Sequence, residues 1–141
     1  MATLHLEIVT PDRVVLDTRV RSVRLPGTMG SFGVLPNHAP LIASLTTGAI
    51  KVEHDNGDIE YIAASGGFAD VRDNRVTVIA DTAERSADID LARVRAAIER
   101  AQAQLAEGGA EAYTQAQETL RRYMNRLKVA QQQEEEAARR H

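Results

Sequence analysis

The sequence predicts an α+β protein: a two-sheet β-sandwich, or flattened barrel, followed by an antiparallel hairpin of two helices. Three observations carry that expectation. Up to about residue 80, apolar residues alternate with polar ones in short runs separated by Gly, Pro, Asn and Asp, the pattern of many short, half-buried strands. From residue 91 the apolar spacing changes to steps of 3 and 4, the signature of a helical seam. Gly108-Gly109 then splits this second part in two, because a glycine pair stops one helix before the next begins. On this reading the chain divides into residues 1–84 and 85–141, with a polar tail from about residue 131.

Leu4, Leu6 and Ile8 alternate with His5 and Glu7 as a strand with one buried face. Thr10-Pro11-Asp12 turns the chain, and residues 13–16 and 20–25 form a second and a third strand. Val20 and Val23 lie an odd number of residues apart, so a strict strand cannot bury both. A bulge between them, or a switch from one sheet to the other, restores the alternation. Pro26-Gly27 ends that run. Residues 30–41, GSFGVLPNHAPL, set an apolar core strand (Phe32, Val34, Leu35) among two glycines and two prolines. Pro36 and Pro40 fix φ and push Leu35 and Ala39 out of the helical region. The chain therefore turns sharply and displays Asn37 and His38 on a stiff scaffold, as a loop offered to a partner is displayed. The alternative is a structural corner whose side chains cap backbone amides.

Residues 41–45 are a short apolar run, Gly48 breaks it, and Ile50 and Val52 resume the alternation. Residues 55–58, Asp-Asn-Gly-Asp, are the strongest hairpin signal, with a type I′ turn expected at Asn56-Gly57. Ile59, Tyr61 and Ala63 return alongside. Ser65-Gly66-Gly67 marks a bulge or a close backbone approach; without a following helix it is not a dinucleotide fingerprint. Ala69 and Val71, a turn at Asp73-Asn74, and Val76, Val78 and Ala80 complete the set. At Thr82 the period changes. Leu91, Val94, Ile98, Ala101 and Leu105 form one seam, with Asp88 or Asp90 as its N-cap, and Tyr113, Ala116, Leu120, Tyr123, Leu127 and Ala130 form the second. The two stripes close on each other as an antiparallel pair. The tail QQQEEEAARRH has no seam and either extends the helix into solvent or frays. So thin a seam leaves the hairpin marginal by itself, in need of the sandwich, a ligand or a partner.

Composition excludes several functions. The chain of 141 residues suits one domain with an appendage. It has no cysteine, which removes disulfides, thiolate metal sites and cysteine catalysis. No apolar run approaches the roughly 18 to 20 residues of a membrane span, and a first strand beginning by Leu4 leaves no room for a signal or transit peptide. There is no GxxxxGK[ST], HExxH or GxSxG. His5, His38, His54 and His141 lie apart, without metal-ligand spacing. An enzyme is therefore not expected, nor is a metal. Net charge is −3, yet residues 1–84 hold 7 basic and 11 acidic side chains and residues 85–141 hold 10 and 9. This acidic balance with few aromatics speaks against nucleic acid. Arg121, Arg122, Arg126 and Lys128 cluster on the second helix, either as a solvated face or as a contact for an acidic partner.

The string at residues 30–41 resembles the signature of the epsilon subunit of bacterial and chloroplast F-type ATP synthases. The likeness continues through SGGF at residues 65–68, VTVIADTAER at 76–85 and MNRL at 124–127, and so covers the whole chain. It implies a non-catalytic rotor part whose sandwich binds the gamma subunit and rests on the ring of c subunits, coupling proton flow to ATP synthesis. Ser31 and Asn37, His38 and Ala39 would face the ring, Ser31 standing where several members carry an acidic residue. It further implies that the helices open into the alpha/beta hexamer, where Arg121, Arg122, Arg126 and Lys128 meet acidic beta residues and block ATP hydrolysis.

Members that bind ATP on the folded hairpin carry Ile/Leu-Asp-x-x-Arg-Ala on the first helix and arginines on the second. Here Ile89, Asp90 and Arg93 match, with Arg122 and Arg126 opposite, while Val94 replaces the alanine; Glu84 and Arg100 match further positions near the nucleotide. No cofactor is required, and ATP would be a regulatory ligand. The alternative for Asp90 and Arg93 is ordinary i,i+3 ion pairing. The location implied is the cytoplasmic face of a bacterial inner membrane, reached peripherally through the complex, or alternatively the stromal face of a chloroplast thylakoid. From a different class, a free-standing soluble binding module with a nucleotide-sensing hairpin remains the alternative overall.

Overall fold

One long strand organises the sandwich. In the computed structural model, which describes residues 2–140, the two strands expected at residues 13–16 and 20–25 are a single strand, β2 (Arg13–Gly27). Its first half pairs antiparallel with β1 (Leu4–Thr10). Its second half pairs with β3 (Gly30–Val34) on one side and β5 (Gly48–His54) on the other. Val20 sits at the changeover, opposite Leu4 of β1 and His54 of β5. The register slips between Val20 and Ser22, which is how Val20 and Val23 are both buried. The strand bends and serves both sheets because an extra residue increases local twist without breaking the chain.

The rest of the sandwich builds outward from β2. β8 (Arg75–Ile79) lies parallel to β1 and pairs with β7 (Phe68–Arg72), which in turn pairs with β4 (Leu41–Ser44). On the other side β6 (Ile59–Ser65) joins β5, and β9 (Thr82–Arg85) joins β6. Leu4, Leu6, Ile8, Leu25, Ile50, Val52, Ile62, Val76 and Val78 fill the space between. β9 corrects the expected change of period at Thr82: the chain stays extended through Arg85, makes a short 3-10 turn (Ser86–Asp88) and only then enters α1 (Leu91–Glu107). Four residues bearing one buried alanine, Ala83, are too short a pattern to read as a strand.

Turn chemistry differs from expectation at one hairpin. Both residues of the β7–β8 turn, Asp73 and Asn74, have positive φ, 52° and 59°, as a two-residue I′ loop demands. At the β5–β6 hairpin only Gly57 is positive, at 91°. The Gly57 amide donates to His54 O and the His54 amide to Asp58 O, a three-residue loop closed by a glycine bulge. Gly67 confirms the close approach read at Ser65-Gly66-Gly67: a Cβ there would lie 1.9 Å from Ile79 O. After β3, Pro36 and Asn37 form the sharp turn, with Asn37 at φ 65° and the His38 amide donating to Leu35 O. Leu35, expected in the core strand, is exposed instead, because β3 ends one residue before it.

α1 packs on α2 (Ala110–Arg139), and α2 packs on β6 and the end of β5. Asp90 caps α1, its Oδ1 accepting from the Arg93 amide at 3.2 Å. Val94 and Ala101 of the first seam and Ala116 of the second are buried, together with Ala97, while Tyr113 is exposed. α2 corrects the expectation for the tail: through Arg139 it remains helical, and it lies along the sandwich rather than extending free or fraying.

Candidate functional site

The seat of the hairpin on the sandwich is built by a second face of α2. α1 packs on one side of α2, whereas Asn125, Val129 and Gln133, at steps of four, share a stripe that meets the sandwich. Val129 is fully buried. Asn125 Nδ2 donates to Gly48 O at 2.8 Å. The Gln133 side-chain amide accepts from the Tyr61 amide at 2.7 Å and from the Ser86 hydroxyl at 2.9 Å, and donates to Ile59 O at 2.9 Å. Asn125 and Gln133 escaped the sequence reading because polar residues on a helix look like solvent-facing ones. The available signal was the four-residue step through Val129.

Beside Gln133 lies a part-buried charge network. Arg85, the last residue of β9, donates to both Glu60 oxygens, Nε at 2.6 Å and Nη2 at 2.9 Å, and His54 Nε2 lies 2.8 Å from Glu60 Oε1. Burial pushes the Glu60 carboxyl up, but the hydrogen bonds and charges of Arg85 and His54 outweigh it and hold the group below its ordinary value. The same bonds raise Arg85. Above this network opens a cavity of about 490 Å³ whose apolar wall includes Ile89, Leu91, Ala130 and Ala137.

The residues singled out from the sequence fall in several places. Glu84 and Arg126 meet, at 3.5 Å, and Arg126 also lies over the Tyr123 ring, 4.7 Å from its centre. Asp90 is committed to its cap, Ile89 lines the cavity, and Arg93 and Arg100 are exposed on α1. Arg121 and Arg122 border a separate groove with Thr46, Thr47, Ser65 and Asp81, and Lys128 is exposed. Val94 is buried in the seam, so its extra bulk lies between the helices. Ser31 and the group Asn37, His38 and Ala39 sit at opposite ends of β3. Ser31 Oγ accepts from Arg24 Nη1 at 3.4 Å, while the Asn37 amide donates to Asn74 Oδ1 at 2.9 Å and His38 Nδ1 lies 2.6 Å from Ala39 O.

The sandwich also carries an apolar stripe that single-strand patterns did not disclose. Phe68 pairs with Ile79, Ile79 with Val9 and Val9 with Val14. Phe68, Ile79 and Val14 are 59%, 55% and 59% exposed. One register row thus lines up apolar side chains from four strands on an outer face, the kind of patch that marks a protein interface.

Polar clamps under the helices and an exposed apolar row on the sandwich are features of a protein that works through contacts, and the comparisons agree. The family model "ATP synthase, Delta/Epsilon chain, beta-sandwich domain" matches residues 3–86, and "ATP synthase, Delta/Epsilon chain, long alpha-helix domain" matches residues 87–131. Curated relatives named ATP synthase epsilon chain include one from Nitratidesulfovibrio vulgaris, 45% identical over 90% of this chain and 95% of its own length. Another, from Moorella thermoacetica, is 46% identical over 92% and 98%. Among solved structures, a chain of the Euglena gracilis mitochondrial ATP synthase (OSCP/F1/c-ring) is similar with TM-score 0.77 and 25% identity, covering 89% of this chain and 79% of that one. The chain belongs to the ATP synthase delta/epsilon chain family. It is a non-catalytic member, and the relatives it resembles along nearly its full length are epsilon chains.

Proposed function

We propose that this chain is a rotor part of an F-type ATP synthase, bound through its sandwich to the gamma subunit and the c-ring, so that proton flow is coupled to ATP synthesis. The observation that carries the reading is the match to both family domains, in order, across residues 3–131. The row through Phe68, Ile79 and Val14 supports a gamma contact, since burying exposed apolar side chains favours association. His38, on its fixed turn, is the better-supported ring contact. The chain then works peripherally at a membrane, on the cytoplasmic face of a bacterial inner membrane in this reading, with the stromal face of a thylakoid as the alternative.

The hairpin regulates hydrolysis in this proposal, with Arg121, Arg122, Arg126 and Lys128 meeting acidic residues of the beta subunits when the helices open. ATP is the regulatory ligand of the closed form, held by Ile89, Asp90, Arg93, Arg122 and Arg126 with Glu84 and Arg100 nearby. Arginine forks pair phosphate oxygens bidentately, and a ligand at 100 times its dissociation constant adds about 2.7 kcal/mol, enough to shift a marginal element. Arg126 must then exchange Glu84 for phosphate, and Arg122 must turn out of the groove it borders with Thr46 and Asp81.

The test is made in assembled enzyme. The tagged chain brings down gamma, and neutralising the four basic residues raises ATP hydrolysis while the sandwich stays bound. Failure to recover gamma would favour a free-standing module, and unchanged hydrolysis with normal assembly would remove the inhibitory role.

A further inference from the structure

β9 leaves part of its neighbour uncovered. It pairs with β6 from Ile62 to Ser65, so residues 59–61 have β5 on one side and no strand on the other. Backbone groups left without partners at a covered edge are costly. Gln133 takes the place of the missing strand. Its amide is matched to the Tyr61 N–H and the Ile59 carbonyl, and its oxygen uses a second lone pair on the Ser86 hydroxyl. Two turns earlier Asn125 holds Gly48 O, at the far end of the same β5–β6 ladder, with the buried Val129 between them. Seven residues further on, Arg140 donates to Gly57 O at 2.7 Å. α1 has no comparable polar hold on the sandwich among the described residues and rests chiefly on α2. The family helix domain matches only through residue 131, so Gln133 and Arg140 lie beyond it.

We infer that Gln133 is the latch of the closed hairpin: its side-chain amide completes the free edge of β6, and α2 leaves the sandwich, carrying α1 with it, only when that substitute strand contact breaks. The inference rests in part on the regulatory role proposed above, because opening is what the latch restrains. The contact is between neutral groups, so salt has little hold on it, unlike a latch made of ion pairs. Glutamate cannot replace glutamine here. A carboxylate accepts from Tyr61 and Ser86 but confronts the Ile59 carbonyl with no hydrogen to share.

Amide hydrogen exchange on the full isolated chain tests this, comparing the native sequence with Gln133→Ala, Gln133→Glu and, as an exposed control, Glu135→Gln. Both Gln133 variants keep good helix formers at the position. The latch requires that exchange quicken together at Tyr61, across α2 and in α1, by about tenfold or more, while Ile62, Val52 and Val78 keep their protection. Faster exchange confined to Tyr61, or helix rates raised equally by Glu135→Gln, overturns it. The readout needs no partner subunit. Loss of gamma copurification would therefore remove the rotor reading and leave the latch, and unchanged helix exchange would remove the latch and leave the rotor reading.

Discussion

Leu4, Leu6, Ile8, Leu25, Ile50 and Ile62 are wholly buried in the sandwich, whereas the buried residues of the two helices are Val94, Ala97, Ala101, Ala116 and Val129. Each large aliphatic side chain contributes about 1.5 to 3 kcal/mol on burial; the three alanines among the buried helix residues contribute less. What the hairpin has in place of bulk is direction: Asn125, Gln133 and Arg140 reach backbone carbonyls or amides of β5, β6 and the loop between them. The contrast teaches that the two regions fail differently. A core of large residues unfolds as a whole, but a helix seated by a few polar contacts can leave its seat while the sandwich stays folded.

Four substitutions break or sharpen that contrast. Ile62→Ala removes a fully buried side chain and is expected to cost about 2 to 5 kcal/mol, read as a lower denaturant midpoint for sandwich and helices together; separate transitions would show that the helices do not depend on the sandwich. Val129→Ala removes two methyl groups from the hairpin seat, about 1.6 kcal/mol at about 0.8 per carbon. Faster amide exchange should follow in α2 with the sandwich midpoint held, and a global loss would mean that the seat belongs to the core.

Acid probes the junction. Because the folded Glu60 carboxyl lies below its ordinary value of 4.5, the stability it adds is complete above that value and drains away as pH falls through the folded one. Glu60→Gln should flatten this part of the stability profile below about pH 4.5, and an unaltered acid slope would assign the loss to other carboxylates. The smallest effect is expected at Arg93, exposed and without an ion pair among the described residues. Arg93→Ala should shift stability by no more than about 0.5 kcal/mol yet abolish ATP-induced amide shifts in the helices, which separates a ligand group from a structural one.

Much of the fold was legible. The alternation of Leu4, Leu6 and Ile8 and the 3 and 4 spacing of the two seams are local patterns that follow from strand and helix periodicity. Pro36-Asn37 and Gly66-Gly67 were legible for the same reason, since turn and close-approach requirements act on a few consecutive residues. The site was less so. Glu84 with Arg126 and Asp90 with the Arg93 amide are in contact, but Arg122 borders a different groove, and β3 separates Ser31 from His38. Ile59, Tyr61 and Ala63 read as one strand face; Ile62 and Ala64, on the opposite face, are the ones that enter the sandwich core.

The sequence by itself determined the order of elements, their type, most of their turns and the family to which the chain belongs, because each is written in spacings of a few residues. Tertiary structure alone decided that β2 spans both sheets, that Phe68, Ile79, Val9 and Val14 fall in one row, and that Gln133 meets Tyr61. The physical reason is range. Strand register and the placement of α2 join residues seventy or more positions apart, as between His5 and Arg75 or Tyr61 and Gln133, and an amide that will end on a sheet edge carries the same local signature as one that will end in water.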